Sequence, residues 1–398
     1  MEYGIVVIGY DKADTVMRLI NRLNRVDYAD KEVSLIISID KCEEKDIYPE
    51  LQEYKWKHGN LIFKRQGERL GLKKHVLRCG SYMKEYGFDA IAVFEDDMYP
   101  SLGFFNYMVQ AVDFYKDEDK IAGISLYSYK RNDVTELPFE AEYNGYDAYF
   151  MQYASSRGQI WIKRQWEDFI GWYTEKQGKL SEVHGLPDNI LSWPESSWLK
   201  YHMAYCIEKK CYFVYPYESH STCFGEIGSH LKQKTNIYQV PLMNNSCKEY
   251  SFQKLPEKTV SYDAYFEREQ IHKWLNLESD ELCVDLYGRK KDITTKFMLT
   301  MKTYPYHIVK SFGLEMYPHE INVFEEIPGN DIILYDMSKN ISKRVGIEKT
   351  DPMVYYFRLI KAKAWYVRHG LNSGIKKVWN IILRWREKNV REHYKNSR

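Results

Sequence analysis

The sequence lacks the features of a disulfide-stabilised protein, a zinc-finger protein or a protein that spans a membrane. Its seven cysteines are odd in number and scattered, and none belongs to a C-x-x-C pair. This pattern favours neither a disulfide framework nor a zinc site, because both need cysteines at suitable spacing. No apolar run approaches the roughly 20 residues that cross a bilayer, and no segment is of low complexity.

An excess of charge of one sign is also absent. The 398 residues include 57 Lys and Arg against 56 Asp and Glu, so the composition gives no indication of a nucleic-acid partner. The first residues enter an apolar strand without a charged leader segment, from which we expect a cytoplasmic location. The length corresponds to two or three domains.

One acidic stretch organises the sequence. Residues 90–100 read A-I-A-V-F-E-D-D-M-Y-P, an apolar run that ends in Glu95, Asp96 and Asp97. Such a run is typical of a strand buried in a parallel sheet, and ligands bind beyond the carboxyl ends of these strands. Three adjacent carboxylates repel one another unless a cation offsets their charge, which favours Mg²⁺ or Mn²⁺ together with phosphate oxygens. A solvated acidic turn is the alternative interpretation.

Strand and helix patterns alternate through residues 1–126, and this alternation predicts a parallel, right-handed α/β sheet. The predicted strands of this part are 4–9, 33–39, 61–64, 90–95 and 121–126. Further strands are predicted at 149–154, 159–163 and 211–216, with helices at 102–115 and 164–173. In the less regular residues 251–350 we predict a helix at 265–275 and short strands at 322–324 and 331–335.

Two groups of residues near strand ends are candidates for donor binding. Asp40 ends the second strand, where a carboxylate can accept hydrogen bonds from a uracil or a ribose, although a helix cap or a turn explains it equally well; the same applies to Asp11. Residues 65–75 place two glycines and several cations, among them Arg65 and Lys74, just before a helix. Positive charge at a helix N-terminus suits a diphosphate, and a solvated basic loop is the alternative.

Two later segments carry polar residues with possible chemistry. Residues 193–198 read W-P-E-S-S-W and place Glu195 between two tryptophans at a helix start, with Asp188 a few residues before it. Ordinary capping in the first turn is the alternative role for this glutamate. Residues 218–230 form a polar, glycine-bearing loop that ends at His230, and we expect this loop to close over a ligand.

The order of these motifs resembles that of GT-A type glycosyltransferases, specifically the inverting enzymes of family 2 and the N-acetylglucosaminyltransferase that initiates complex N-glycans. The resemblance covers roughly residues 3–235. It rests on I-V-V-I-G-Y-D at 5–11, L-I-I-S-I-D at 35–40, V-F-E-D-D at 93–97, W-P-E-S-S-W at 193–198 and F-G-E-I-G-S-H at 224–230. It implies a Rossmann-like, mostly parallel sheet flanked by helices.

The resemblance also implies roles for individual residues. Asp97 would bind Mn²⁺ or Mg²⁺ at the donor diphosphate, while Glu95 and Asp96 would reach the donor ribose and sugar. Uridine contacts are implied near Tyr10 and Asp11 and at Asp40, and His230 would approach the phosphates or the metal. The catalytic base would lie in the tryptophan-flanked segment, which makes Glu195 the first candidate and Asp188 the second. Ser196 and Ser197 stand where the eukaryotic pattern has two aspartates.

These observations predict a glycosyltransferase domain at 1–240, an accessory region on the acceptor side at 241–360 and a tail at 361–398. Residues 363–398 carry ten Lys and Arg against two Glu, a net charge of +8, and their apolar residues recur at helical spacing. This pattern is typical of a basic amphipathic helix that lies on a membrane, and docking on the protein itself is the alternative.

The predicted function is metal-dependent, inverting transfer of a sugar from a nucleotide-sugar, in the first instance a UDP-sugar. The acceptor would be a glycan or a lipid-linked saccharide in surface polysaccharide synthesis at the inner face of the cell membrane. A sugar-1-phosphate nucleotidyltransferase and a non-catalytic carbohydrate-binding protein are the alternatives. The first alternative needs a glycine-rich nucleotide loop directly after the first strand, and residues 9–14 (G-Y-D-K-A-D) do not contain one.

Overall fold

A nine-stranded sheet forms the centre of the protein, which is known from a computed structural model that describes residues 1–176, 180, 183–226, 233–255 and 259–341. The strands that build the sheet, in chain order, are β1 (Tyr3–Gly9), β2 (Ser34–Ile39), β3 (Leu61–Arg65), β4 (Ala90–Glu95), β6 (Ile121–Ser125), β7 (Ala148–Met151), β8 (Gln159–Ile162), β9 (Tyr212–Pro216) and β11 (Ser261–Tyr262). Their spatial order is β11-β7-β9-β6-β8-β4-β1-β2-β3. A separate two-stranded ribbon consists of β5 (Met98–Pro100) and β10 (Ser221–Cys223).

The sheet is mostly parallel. Strands β1, β2, β3, β4, β6 and β9 run in one direction, whereas β8, β7 and β11 run in the other. The α/β fold class and the parallel arrangement predicted for residues 1–126 are therefore confirmed. The predicted terminal helix, the tail at 361–398 and His230 lie outside the described residues.

Helices cover both faces of the sheet, which is why its strands are apolar throughout. Successive residues of β1 enter opposite layers of the core, with Val6 and Ile8 in one and Ile5 and Val7 in the other. The helices are α1 (Ala13–Leu23), α2 (Tyr48–Leu51), α3 (Gly71–Tyr86), α4 (Phe104–Tyr115), α5 (Lys163–Lys176), α6 (Asp188–Leu191), α7 (Trp198–Lys209) and α8 (Ile321–Phe324).

The residues after 240 contribute to both the main sheet and a second one. The short strand β11 pairs in parallel with β7 at the edge of the main sheet. The second sheet has the order β12-β13-β15-β14 and consists of β12 (Leu282–Val284), β13 (Phe297–Thr300), β14 (Tyr306–Phe312) and β15 (Ile332–Asn340). Strand β15 confirms the prediction for 331–335.

Two predictions in this region were wrong. The stretch 265–275 contains turns and the 3₁₀ turn Ile271–Lys273 instead of an α-helix, because Phe266 and Gln270 have positive φ angles (64° and 65°), which interrupt a right-handed helix. Residues 322–324 belong to α8 instead of a strand. Both segments are too short for their apolar spacing to distinguish the two structures.

The chain divides into two compact units, Met1–Ser342 and Lys343–Arg398, the second of which lies outside the described residues. The domain boundaries predicted at 240 and 360 stay predictions. Among the residues that the structure describes, every helix is too short or too polar to cross a membrane.

The contact between α3 and the tryptophans of the core gives a test of the packing. A Cβ atom at Gly80 would lie 2.1 Å from the ring of Trp166, which stacks on Trp161 with 3.8 Å between ring centroids. We expect Gly80→Ala to lower the free energy of unfolding by about 1–3 kcal/mol, the cost of overpacking a core. Denaturant unfolding monitored by circular dichroism measures this change.

The control is Gly171→Ala in α5, where the described atoms leave the space around the new methyl group open. Alanine has the higher helix propensity, so this variant should be more stable by up to about 1 kcal/mol. A neutral or stabilising effect of Gly80→Ala would contradict the packing described here.

Candidate active site

The carboxyl ends of four neighbouring parallel strands bring most of the predicted donor-site residues to one edge of the sheet. Glu95 ends β4 in register with Ile8 of β1, so that Tyr10 and Asp11, which follow β1, lie beside the acidic stretch. On the other side of β1, the backbone N–H of Asp40 donates a hydrogen bond to the carbonyl oxygen of Gly9 (3.0 Å). Arg65 ends β3 one strand further along. Ligands of open α/β sheets bind at this edge.

The three acids occupy a tight turn between β4 and β5, the acidic turn (Glu95, Asp96 and Asp97). Burial, followed by the charges of Asp97 and Asp96, raises the pKa of Glu95 to about 8. Burial and the charge of Asp96 raise the pKa of Asp97 to about 6. Burial also raises the pKa of Asp96, even though the hydroxyl group of Thr15 donates a hydrogen bond to its carboxylate (2.9 Å). Ionising all three carboxylates together is therefore costly without a cation.

Arg157 supplies positive charge to the acidic turn. This charge lowers the pKa values of both Glu95 and Asp97, against the larger effect of burial. The guanidinium group donates hydrogen bonds to the hydroxyl oxygen of Tyr129 (2.7 Å) and to the carboxylate of Asp133 (3.3 Å). It also lies over the ring of Tyr238, 4.2 Å from the centroid. These contacts hold a cation beside the acids in a largely aromatic environment.

Asp40 has the contacts of a helix cap. Its carboxylate accepts hydrogen bonds from the backbone N–H groups of Lys41 (2.9 Å), Leu70 (2.8 Å) and Gly71 (2.9 Å), the last two at the beginning of α3. The capping interpretation of Asp40 is therefore realised in the structure. A uracil or ribose contact of Asp40 stays a prediction and would have to share these oxygens.

The other predicted donor contacts are more exposed. Tyr10 lies with its ring 5.3 Å from the guanidinium carbon of Arg69, which leaves a flat aromatic group at the sheet edge. Arg65 forms an exposed ion pair with Asp46 (2.7 Å), and Lys74 is exposed near the beginning of α3. Contact of Arg65 and Lys74 with a diphosphate thus stays a prediction.

The tryptophan-flanked segment places Glu195 before α7 and not in its first turn. The cap of α7 is Ser197, whose hydroxyl accepts a hydrogen bond from the backbone N–H of Lys200. The carboxylate of Glu195 accepts hydrogen bonds from the Lys200 ammonium group (2.7 Å) and the Tyr201 hydroxyl (2.8 Å), and these bonds lower its pKa. The capping interpretation of Glu195 is therefore wrong. Asp188, the second candidate, begins α6 and forms an exposed ion pair with Lys291 (2.6 Å).

The first part of the predicted closing loop is a strand that packs against the acidic turn. Strand β10 pairs with β5, and the backbone N–H of Phe224 donates a hydrogen bond to the carbonyl oxygen of Asp97 (2.8 Å). Arg18 of α1 then forms a two-pronged ion pair with Glu226 (2.7 and 3.1 Å) and lies 3.6 Å from the centroid of the Phe224 ring. Residues 227–232, which continue this loop, lie outside the described residues.

The acidic turn fits a hard divalent cation in its donor chemistry. Its ligands would be carboxylate oxygens, which Mg²⁺ and Mn²⁺ prefer, and the positive charge of a bound ion would favour the ionised form that burial disfavours in all three acids. Within the described residues no group of three His, Cys, Asp or Glu side chains is already arranged around a common point. Mg²⁺ commonly binds one or two carboxylates, and waters and phosphate oxygens complete its coordination shell. Asp97 and its neighbours would hold such an ion.

Sequence reasoning missed Arg157 and Asp133, because a single arginine in a loop and a single acid in an irregular segment have no characteristic spacing. The sequence feature that could have indicated Arg157 is its position in the polar stretch S-S-R-G at 155–158, which connects two predicted strands. The contact between Arg18 and Glu226 joins residues 208 positions apart in the sequence, a distance that local patterns do not span.

Comparison with known proteins gives partial structural matches only. No protein-family model matches the sequence, and no curated protein matches it. Among solved structures, S. aureus TarS 1–349 in complex with UDP-GlcNAc is 14% identical with a TM-score of 0.38, and the match covers 58% of this chain and 60% of that chain. The mannosyltransferase PcManGT from Pyrobaculum calidifontis, in complex with GDP-Man and Mn²⁺, is 11% identical with a TM-score of 0.31, covering 43% of this chain and 46% of that one. This chain thus spans 60% of the length of TarS 1–349. These matches identify no family for it.

The raised pKa of Glu95 predicts how stability depends on pH in the absence of metal. Between its ordinary pKa of 4.5 and about 8, the folded chain binds more protons at this group than the unfolded chain does. The free energy of unfolding should therefore fall as the pH rises through this window. We expect Glu95→Gln to flatten that fall, as measured by melting temperatures in chelator at about pH 5.5 and about pH 8.

Other groups also contribute to the pH dependence of stability, for example Glu320, whose pKa is raised to about 7. Their contributions cancel when the variant is compared with the wild type. Equal dependence on pH in both proteins would show that Glu95 is ionised without cost in the folded state.

Proposed function

We propose that this chain is a metal-dependent, inverting glycosyltransferase that moves a sugar from a nucleotide-sugar, in the first instance a UDP-sugar, to a saccharide or lipid-linked saccharide acceptor. The observation that carries the proposal is the acidic turn at the carboxyl end of β4, where burial raises the pKa of all three acids and the charges of neighbouring acids in the turn raise those of Glu95 and Asp97 further. A site of this charge suits a divalent cation with a diphosphate as its further ligand.

In the proposed reaction an acceptor hydroxyl attacks the anomeric carbon of the donor sugar. The bond between that carbon and the phosphate oxygen breaks, and its electron pair leaves with the nucleoside diphosphate. The metal, when bound, offsets the negative charge that develops on the diphosphate. Asp97 would hold the metal, and in this proposal the ring of Tyr10 at the sheet edge contacts the base of the nucleotide. The cation of Arg157 lies near enough to the acidic turn to attract the same phosphates.

Glu195 takes the proton of the acceptor hydroxyl in this proposal, and Asp188 is the second candidate. Support for Glu195 comes from its fixed position, because Lys200 and Tyr201 each donate a hydrogen bond to one of its carboxylate oxygens. The same bonds lower its pKa, so that it is ionised and able to accept a proton at neutral pH. They also weaken it as a base, since a base works best with a pKa near the operating pH.

The alternatives have less support. In the structure α1 begins at Ala13, four residues after Gly9, and its N-cap residue makes no side-chain hydrogen bond. The connection after β1 is therefore short, and it is not the glycine-rich loop that a nucleotidyltransferase would need. A purely carbohydrate-binding protein would have no use for three carboxylates whose ionisation is costly. Release of pyrophosphate would favour the nucleotidyltransferase, and a lack of any turnover would favour the carbohydrate-binding protein.

The metal site is tested by Asp97→Asn. Removing a hard ligand should lower Mn²⁺-dependent release of UDP from UDP-sugars by about 10²-fold or more, because charge stabilisation of several kcal/mol is lost. A coupled assay for free UDP, with and without chelator, measures the change. The fold should persist, since Asp97 lies in a turn.

A matched control is Asp113→Asn, which removes an exposed carboxylate from α4 that pairs with nearby Lys116. This variant should keep the activity of the wild type. Undiminished UDP release by Asp97→Asn, or by the wild type in chelator, would remove the metal from the proposed mechanism.

The base is tested by Glu195→Gln. Loss of a general base should lower kcat by roughly 10²- to 10⁴-fold and leave the Kd of the donor nearly unchanged. Glu208→Gln, at an exposed position of α7, is the control and should have little effect. A normal kcat for Glu195→Gln would contradict the proposed role of Glu195 as the base and leave Asp188 as the candidate.

Tyr201→Phe gives an independent readout on the same group. Without the phenol hydroxyl the pKa of Glu195 should rise, since that hydrogen bond lowers it. The acidic limb of the kcat profile should then move to higher pH, whereas a purely structural role for Glu195 would leave the limb in place.

A further inference from the structure

A pocket separate from the acidic turn lies between the edge of the main sheet and the region that carries the second sheet. Its lining includes Asn132 and Phe139 from the irregular segment after β6 and Tyr262 of β11. Three later stretches complete the lining, namely residues 266–268, 286–287 and 317–320. Nothing in the proposed transfer reaction uses these groups.

The pocket contains a buried carboxylate with an unused oxygen. Glu267 is only 3% exposed, and the backbone N–H of Tyr287 hydrogen-bonds to its carboxylate. Its Oε2 atom has no hydrogen-bond partner among the residues that the structure describes. Because a buried polar atom without a partner costs about 1–3 kcal/mol, such atoms in native proteins usually meet a water or a ligand.

The other polar groups of the pocket are held in place by the protein. The hydroxyl of Tyr262 donates a hydrogen bond to the carboxylate of Glu320 (2.9 Å). Arg268 donates one to the carboxylate of Glu142 (2.8 Å), and the hydroxyl of Tyr287 lies 3.0 Å from Nδ1 of His319. Such fixed donors and acceptors recognise a ligand group in a defined orientation.

Aromatic side chains surround these polar groups and reach the surface. Tyr317 lines the pocket and is 38% exposed. Trp274 is 41% exposed, stacks on Phe324 with 4.2 Å between ring centroids, and lies with its ring 6.0 Å from the guanidinium carbon of Arg268. Exposed rings next to fixed polar groups suit a ligand that has both apolar faces and hydroxyl groups.

The size of the pocket restricts the ligand further, because the enclosed part has room for only about one water-sized group. A whole sugar ring does not fit inside, whereas one hydroxyl group does. We propose that this pocket is a saccharide-binding subsite, in which a neutral pyranose ring rests against Tyr317 and inserts one hydroxyl group towards Oε2 of Glu267.

The position of the pocket assigns the saccharide to the acceptor. Asn132 in its lining is followed by Asp133, which contacts Arg157, the cation beside the acidic turn. In this proposal an acceptor of several sugar units bound here extends towards the proposed donor site. This acceptor role rests on the proposed function, whereas saccharide binding itself does not.

The test is saturation-transfer difference NMR of the full-length chain with four disaccharides at millimolar concentration: maltose, cellobiose, lactose and N,N′-diacetylchitobiose. We expect at least one of them to receive saturation from the wild-type protein. Tyr317→Ala should weaken its binding by about tenfold, the equivalent of a lost ring contact of about 1.4 kcal/mol. Tyr317→Phe keeps the ring and should bind as the wild type does.

Glu267→Leu removes the buried oxygen and should weaken binding by a similar factor. Its melting temperature is measured in parallel, and Tyr317→Ala carries the test alone if this variant does not fold. Absence of saturation for all four disaccharides, or equal binding by wild type and Tyr317→Ala, would overturn the subsite and leave a buried water as the occupant of the pocket.

Release of UDP from UDP-sugars in the absence of acceptor separates this proposal from the previous one. Both variants should keep it, because neither residue touches the acidic turn. Saccharide binding without any UDP release would support the subsite and contradict the proposed transferase. UDP release without saccharide binding would support the transferase and contradict the subsite.

Discussion

The repulsion among three carboxylates at the end of one buried strand is the constraint on which the site depends. Strand β4 lies between β1 and β8 in the interior of the sheet, so its last residue and the two that follow are partly withdrawn from water. Burial raises the pKa of each of the three acids. The positive charge of Arg157 lowers the pKa values of Glu95 and Asp97, and the charges of Lys12 and Arg18 lower that of Asp96. In the proposed function, a divalent cation and a diphosphate would complete this charge balance.

The sheet positions this charge, and the sequence predicted the sheet well. Apolar strands such as those predicted at 4–9 and 33–39 alternate with helical patterns, and parallel pairing brings the carboxyl ends of such strands together. The structure accordingly brings the predicted donor-site residues Tyr10, Asp11, Asp40 and Arg65 to the same edge of the sheet as the acidic turn. The region after 250 was predicted less well, because its elements are short and its turns depend on tertiary contacts, as the positive φ angles at Phe266 and Gln270 illustrate.

The chemical role of each side chain was harder to predict than its place. Asp40 lies at the predicted edge, yet its carboxylate caps α3, and Glu195 lies beside its tryptophans while Ser197 performs the capping. Such differences depend on a few hydrogen bonds to residues that are distant in the sequence. The same applies to the pocket at Glu267, whose lining comes from four separate parts of the chain, at 132–140, 262–268, 286–287 and 317–320. In physical terms, hydrophobic periodicity determines the sheet, whereas long-range polar contacts determine the site.

The proposed function depends on binding of a divalent metal together with the donor diphosphate at the acidic turn. This binding is tested most directly by a crystal structure of the chain grown with MnCl₂ and UDP, with diffraction data collected at a wavelength where manganese scatters anomalously. We expect an anomalous peak within coordination distance of a carboxylate oxygen of Asp97, at about 2.0–2.3 Å, with the diphosphate oxygens on its other side. UDP bound at the sheet edge without such a peak, or manganese bound elsewhere, would contradict it.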